Sequence, residues 1–347
     1  MKEQEKQFNW PICGQEKITD FLQSAILNDR VAHGYLFVGP ANLGKYAVAK
    51  EFISSILCQG RQGPIPCGEC FHCRQFKNGL HPDVYIVERI IDDKTGKLKK
   101  DIAIDQIRDL KSRLQQATFL NSYKIAIIPE AQYFNKNTAN ALLKILEEPT
   151  DKTVIILIAD DANKLPQTIV SRCQVLRFLP VAVKKISDYL MRLDGFSGLA
   201  GSEAKLLAHL SHGKPGLAIS FLQNRPLKEK YLGDINNFFK LTKADFSARF
   251  KTIEEIIDWH KDEMVNIKQI NNLFDNWQSI LRDILLVKSE NEPLVANINF
   301  FEAINKNKEH FSFNKIRVIL AGIEQARTYL KQNINTKSVL ENLIINL

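Results

Sequence analysis

Short apolar runs alternate with stretches of helical periodicity through the first half of the chain. Tyr35-Leu36-Phe37-Val38 and residues 84–87, 125–128, 154–158 and 175–178 are too short for helices and read as strands. Between them, Ile18, Phe21, Leu22, Ala25 and Ile26 fall on one helical face, and Ile104, Ile107, Leu110 and Leu114 on another. Residues 47–57 and 137–147 read as further helices, the second stopped by Pro149. Strands that are apolar throughout are buried on both faces, and helices between them connect them in parallel. The pattern predicts an α/β domain: a parallel sheet with helices on both faces.

After about residue 180 the strand signals vanish. Residues 184–192 and 203–210 read as short helices, and Gly213-Lys214-Pro215-Gly216 is a turn that opens another at Leu217. From about residue 228 onward everything is helical, with Trp259 and Trp277 read as core. The expected domains are 1–180, a small helical 181–230, and an all-helical 231–347. A chain of 347 residues is too long for one ordinary core, which agrees with this division.

The formal charge of +8 is modest for this size. It fits a solvated, slightly Lys-rich surface, or a basic face toward a polyanion such as DNA. The densest basic run, Lys94-Thr95-Gly96-Lys97-Leu98-Lys99-Lys100, reads as an exposed hairpin tip. The start, Met1 to Gln7, is charged and no apolar stretch follows, so no signal peptide is expected. Residues 154–159, the most apolar run, are too few to cross a bilayer. A cytosolic protein without membrane partners is the expectation.

Of 6 cysteines, Cys58, Cys67, Cys70 and Cys73 fall in one stretch, kept looped by Gly60, Gly63, Pro64, Pro66 and Gly68. Cys67-x2-Cys70-x2-Cys73 places three thiols in one tight turn and Cys58 can complete a tetrahedron. Four thiolates favour Zn²⁺ at a closed structural site, and a reducing compartment disfavours disulfides. An iron–sulfur cluster competes, since its ligands can share this spacing; no Cys-Pro follows at the ferredoxin position. Cys13 and Cys173 read as ordinary small residues.

Gly39-Pro40-Ala41-Asn42-Leu43-Gly44-Lys45 lies between a strand and a helix, the setting of a phosphate-binding loop. In G-x-x-x-x-G-K-[ST] backbone N–H groups cradle phosphates, the Lys reaches the terminal ones and the hydroxyl holds Mg²⁺. Here Tyr46 stands where that hydroxyl belongs, and a phenol there does not fold back onto the metal. Gly39, Gly44 and Lys45 are therefore a degenerate loop, and ATP in it is doubtful. His33 and His81-Pro82-Asp83 read as turn and packing residues. Glu147 and Glu148 read as structural or as part of a subunit contact.

Taken in order, the loop after Gly14-Gln15 and His33, the four-cysteine insert, Ala139-Asn140-Ala141-Leu142-Leu143-Lys144-Ile145-Leu146-Glu147-Glu148-Pro149 and Ser171-Arg172-Cys173 resemble the AAA+ subunits of the bacterial clamp loader, part of the DNA polymerase III holoenzyme. The likeness spans almost the whole chain. Asn333-Ile334-Asn335-Thr336 with Leu340-Glu341 is similar to the end of that family's helical collar. The resemblance implies an AAA+ fold with a zinc insert, then a helical lid and an all-α collar. It implies paralogous ATPase subunits and a delta subunit as partners, with the sliding clamp and primed DNA within the complex.

The nucleotide positions depart from that family's pattern together. The acidic motif, Asp-Glu in a motor subunit, reads Pro129-Glu130, so the metal-facing carboxylate is missing. The polar sensing residue falls near Ala159 or Asp160, and the second sensing position, an Arg, near Gly216 or Leu217; neither has the expected side chain. One element survives: the resemblance makes Arg172 an arginine finger, acting in trans on a neighbour's ATP. The expected role is that of a non-hydrolysing subunit. Its rivals are a working ATPase motor with an unusual loop, and a zinc-containing DNA-binding module on an ATPase-derived scaffold.

Overall fold

The computed structural model describes residues 10–347 apart from 93–95, 97, 121, 197, 258, 260–262, 333 and 346. Lys94, Thr95 and Lys97 of the basic run, the charged start Met1 to Gln7, and Asn333 lie outside the described residues. The chain divides into two compact units, Met1–Tyr189 with Gly213–Gly216, and Leu190–His212 with Leu217–Leu347.

In the first unit the elements run α1 (Glu16–Leu27), β1 (Gly34–Val38), α2 (Lys45–Leu57), α3 (Phe71–Lys77), β2 (Val84–Ile86), α4 (Ile104–Gln115), β3 (Lys124–Ile128), α5 (Lys136–Glu147), β4 (Thr153–Ala159), α6 (Gln167–Val170), β5 (Gln174–Arg177) and α7 (Val183–Met191), whose last residues belong to the second unit. The sheet is parallel throughout, in the order β2-β3-β4-β1-β5. β1, β3 and β4 are buried along their whole length, as their continuous apolar sequences require.

Alternation along each strand feeds two cores. Tyr35, Phe37, Ile125, Ile127 and Ile156 join Leu22, Phe52 and Ile53 on one face. Leu36, Val38, Ala126, Ile128 and Leu157 join Ile107, Leu110 and Leu142 on the other. Each fully buried side chain of this size contributes about 1.5–3 kcal/mol by leaving water. One expectation fails: Phe21 is 41% exposed, because Ile18, Leu22 and Ile26 already fill the stripe that α1 turns to the sheet.

Two buried charges fix the connection from α4 to β3. The Lys124 ammonium donates to the carbonyls of Leu114 and Gln116, satisfying orphan groups at the end of α4. The Asp83 carboxylate accepts from the backbone N–H of Phe119 (2.9 Å) and Leu120 (3.1 Å) and from Ser122 Oγ (3.3 Å). Asp83 is thus more than the turn residue that its sequence suggests.

The second unit is helical: α8 (Gly201–Leu210), α9 (Pro215–Gln223, begun in the first unit), α10 (Arg225–Leu241), α11 (Phe246–Ile256), α12 (Glu263–Lys288), α13 (Phe301–Asn307), α14 (Phe313–Lys331) and α15 (Thr336–Ile345). Its core holds Trp277, Phe238, Phe274 and Phe311, with Phe238 stacked on Phe311 at 5.8 Å; Trp259 is half-buried. A polar network runs through this unit. His212 Nε2 lies 2.9 Å from Tyr231 Oη and 2.8 Å from Ser279 Oγ. Tyr231 Oη donates to Asn297 Oδ1 (2.7 Å), and Asn297 Nδ2 donates to Asp283 Oδ2 (2.8 Å). No helix among the described residues is long and apolar enough to cross a membrane.

Candidate functional site

The phosphate loop leaves β1 at Gly39, whose φ of 146° only glycine adopts freely. A Cβ there would meet the Phe178 carbonyl at 2.6 Å. Asn42 and Gly44 are also left-handed, and α2 starts at Lys45, two residues earlier than its apolar pattern suggests. The Lys45 ammonium turns back into the loop. It donates to the carbonyls of Gly39 and Pro40 and lies 3.6 Å from an Asp160 oxygen. Burial lowers the Lys45 pKa, and Asp160 opposes that shift. Tyr46 packs against the core on the β1–α2 face, with the Lys50 ammonium 4.9 Å above its ring. Burial raises the pKa of its phenol.

Across an open cleft of about 490 Å³ lie Pro129, Glu130, Asp160 and Gly216. Glu130 has a φ of 57°. Its carboxylate accepts from Arg89 Nε (3.2 Å) and Nη2 (2.9 Å), and Arg89 also covers the Tyr133 ring at 3.7 Å. The acid that would polarise water is thus paired with a cation. Nothing local in the sequence marks Arg89 for this, since the pair spans 41 positions. Gly216 N–H donates to the Asn42 carbonyl at 2.9 Å, seating the Gly213–Gly216 turn on the phosphate loop.

The four cysteines converge as their spacing requires. Cys58 caps the end of α2, Cys70 caps the start of α3, and Cys73 lies within α3. Gly63 and Gly68, both at positive φ, turn the chain between them, and Trp10 Nε1 anchors the loop through the Pro64 carbonyl (3.2 Å). All four sulfurs lie within 4.8 Å of one another; Cys58 is 3.5 Å from Cys67 and 3.9 Å from Cys70. A tetrahedral zinc with sulfur at about 2.3 Å sets its ligands about 3.8 Å apart, so the group fits such an ion. Backbone N–H groups of Glu69 and Cys70 hold the Cys67 pKa below its ordinary value, while burial pushes the Cys58 and Cys73 thiols up.

Arg172 lies outside the cleft, between α6 and β5. Its Nη1 donates to the Thr168 carbonyl (3.0 Å), and its Nη2 is 2.7 Å from Glu147 Oε1, at the last residue of α5. Beneath it the packing is close. A Cβ on Gly34 would approach the Leu146 side chain, the Arg172 carbonyl and Cys173 Sγ at 3.2–3.4 Å. The structure therefore brings Gly44 and Lys45 to one cleft, leaves Gly39 at the start of the loop outside its lining, gathers the cysteines at a second centre and sets Arg172 at a third.

A family model described as "DNA polymerase III, delta subunit" matches residues 14–182. The DNA polymerase III subunit delta' of Bacillus subtilis is 27% identical over 333 residues, covering 96% of both chains. The delta' subunit of Pseudomonas aeruginosa is 36% identical over 218 residues, 62% of this chain and 63% of that one. A solved gamma subunit-related DNA polymerase III protein of Thermotoga maritima aligns over 94% of this chain and 97% of its own, at 17% identity and a TM-score of 0.47. With its parallel sheet, degenerate phosphate loop and Ser171-Arg172-Cys173, the chain belongs to the delta' family of DNA polymerase III clamp-loader subunits.

Proposed function

We propose that this chain is the subunit of its clamp loader that does not hydrolyse ATP. It presents Arg172 to the ATP of a neighbouring paralogous subunit, and so couples that ATP to opening the sliding clamp and placing it on primed DNA. The observation that carries this reading is the engagement of Lys45. Its ammonium is bonded to the loop's own carbonyls and paired with Asp160. Tyr46 and Pro129 replace both metal-holding side chains, and Arg89 holds the remaining acid, Glu130.

Arg172, by contrast, keeps a partly exposed guanidinium, suited by its planar fork and permanent charge to the developing charge of a transferring phosphoryl group. The proposal includes a structural zinc on Cys58, Cys67, Cys70 and Cys73, a lid at 181–230, a collar at 231–347 that meets the other subunits, delta among them, and a cytosolic location.

The test is ATP turnover by the reassembled clamp loader carrying Arg172→Ala. A fall of about 10³-fold or more in the neighbour's turnover is expected for loss of an arginine finger; an unchanged rate would remove that role. Equilibrium dialysis of the chain alone is expected to retain no ATP in a Mg²⁺-dependent way. Mg²⁺-dependent retention would favour a working motor instead.

A further inference from the structure

We infer that Glu147 is the positioning residue for Arg172, fixing its guanidinium before an anionic group of a neighbouring chain arrives. The inference rests on the reading of Arg172 given above. Glu147 Oε1 is 2.7 Å from Nη2, and the Thr168 carbonyl accepts from Nη1 at 3.0 Å. A guanidinium has five N–H donors in a rigid fork. The Thr168 carbonyl takes one hydrogen of Nη1 and Glu147 lies against Nη2 as an ion pair, which leaves the other donors for an incoming phosphate. The clasp therefore orients the group without occupying it, and the side chain stays 38% exposed.

The placement of the acid supports a role beyond the fold. Glu147 is the last residue of α5, where the exposed carbonyl ends of the helix disfavour a carboxylate. Glu148 beside it is exposed and makes no ion pair among the described residues. An exposed pair such as Arg172–Glu147 adds little stability. What it does supply is order: an unheld arginine must lose its rotamer freedom when it engages a phosphate, and a clasped one has lost most of it already.

Two experiments test this. In the chain alone, phenylglyoxal modification of Arg172, followed by peptide mass spectrometry, is expected to run several-fold faster in Glu147→Gln than in the parent; equal rates would mean that the pair does not hold in solution. In the reassembled complex, Glu147→Gln is expected to lower kcat for ATP about tenfold at unchanged KM, since the nucleotide sits in the neighbour. Glu147→Asp should recover part of the loss, and Arg172→Ala/Glu147→Gln should be no slower than Arg172→Ala.

An additive double variant would assign Glu147 a merely structural effect and overturn the inference. A slow Arg172→Ala complex with a normal Glu147→Gln complex would overturn it while leaving the finger intact. A normal Arg172→Ala complex would remove both.

Discussion

Arg89 grips Glu130 through two nitrogens, at 3.2 and 2.9 Å, while its guanidinium carbon lies 3.7 Å over the Tyr133 ring. The pair turns the one acid left in the acidic motif from a group that could polarise water into half of an ion pair. The Arg89 side chain is 10% exposed and that of Glu130 49%, so the cation is shielded while the carboxylate still faces water.

On the proposed reading, restoring the hydroxyl of the phosphate loop is not expected to bring turnover. Tyr46→Thr is expected to hydrolyse no ATP above the blank, because Pro129 supplies no metal carboxylate and Lys45 remains bonded to its loop. Mg²⁺-dependent release of phosphate by this single variant would show that the hydroxyl alone was the missing part.

The cysteine centre predicts about one zinc per chain by elemental analysis, and none in Cys70→Ser/Cys73→Ser. Removing the metal is expected to expose the 58–73 loop to proteolysis before the sheet unfolds. Four thiolates brought this close repel one another without a cation between them. Equal protease resistance with and without chelator would count against a structural metal.

Asp83 is expected to be one of the costliest single positions outside the apolar core. Asp83→Ala strands the N–H groups of Phe119 and Leu120, and should lower the stability of the first unit by about 2–4 kcal/mol. Asp83→Asn should recover only part, since one of the two accepting oxygens becomes a donor. Urea midpoints of the two variants decide the matter.

Glu51 gives a pH dependence of definite sign. Burial alone raises its pKa above 4.5 in the fold. The folded state therefore holds the proton more tightly than the unfolded one, and this favourable contribution is complete below pH 4.5 and lost as pH rises through the folded value. Glu51→Gln is expected to raise Tm by roughly 1–2 °C at pH 7. The gain should disappear at pH 4; an equal gain at both values would refute the assignment.

The parallel sheet could be read from the chain because β1, β3 and β4 are buried on both faces and so carry unbroken apolar runs. The cysteines could be read because all four lie within one short stretch. Phe21 misled because helical spacing alone does not say how wide a stripe the sheet can cover. The partners of the site were out of reach for a different reason. Arg89 meets Glu130 and Arg172 meets Glu147 only once separate helices and strands are set side by side, and neither pair leaves a local pattern. The same holds for Asp83, whose carboxylate serves N–H groups 36 and 37 positions away.

Gly216 carries a consequence for how this turn can vary. A Cβ at that position would sit 3.0 Å from the Asn42 carbonyl and 3.3 Å from its Cα. Even an alanine would push on the phosphate loop, and an arginine there would need the loop to move first. The backbone has settled into room that a side chain would otherwise fill. An arginine placed here alone would press on the loop, so the turn and the phosphate loop can change only together.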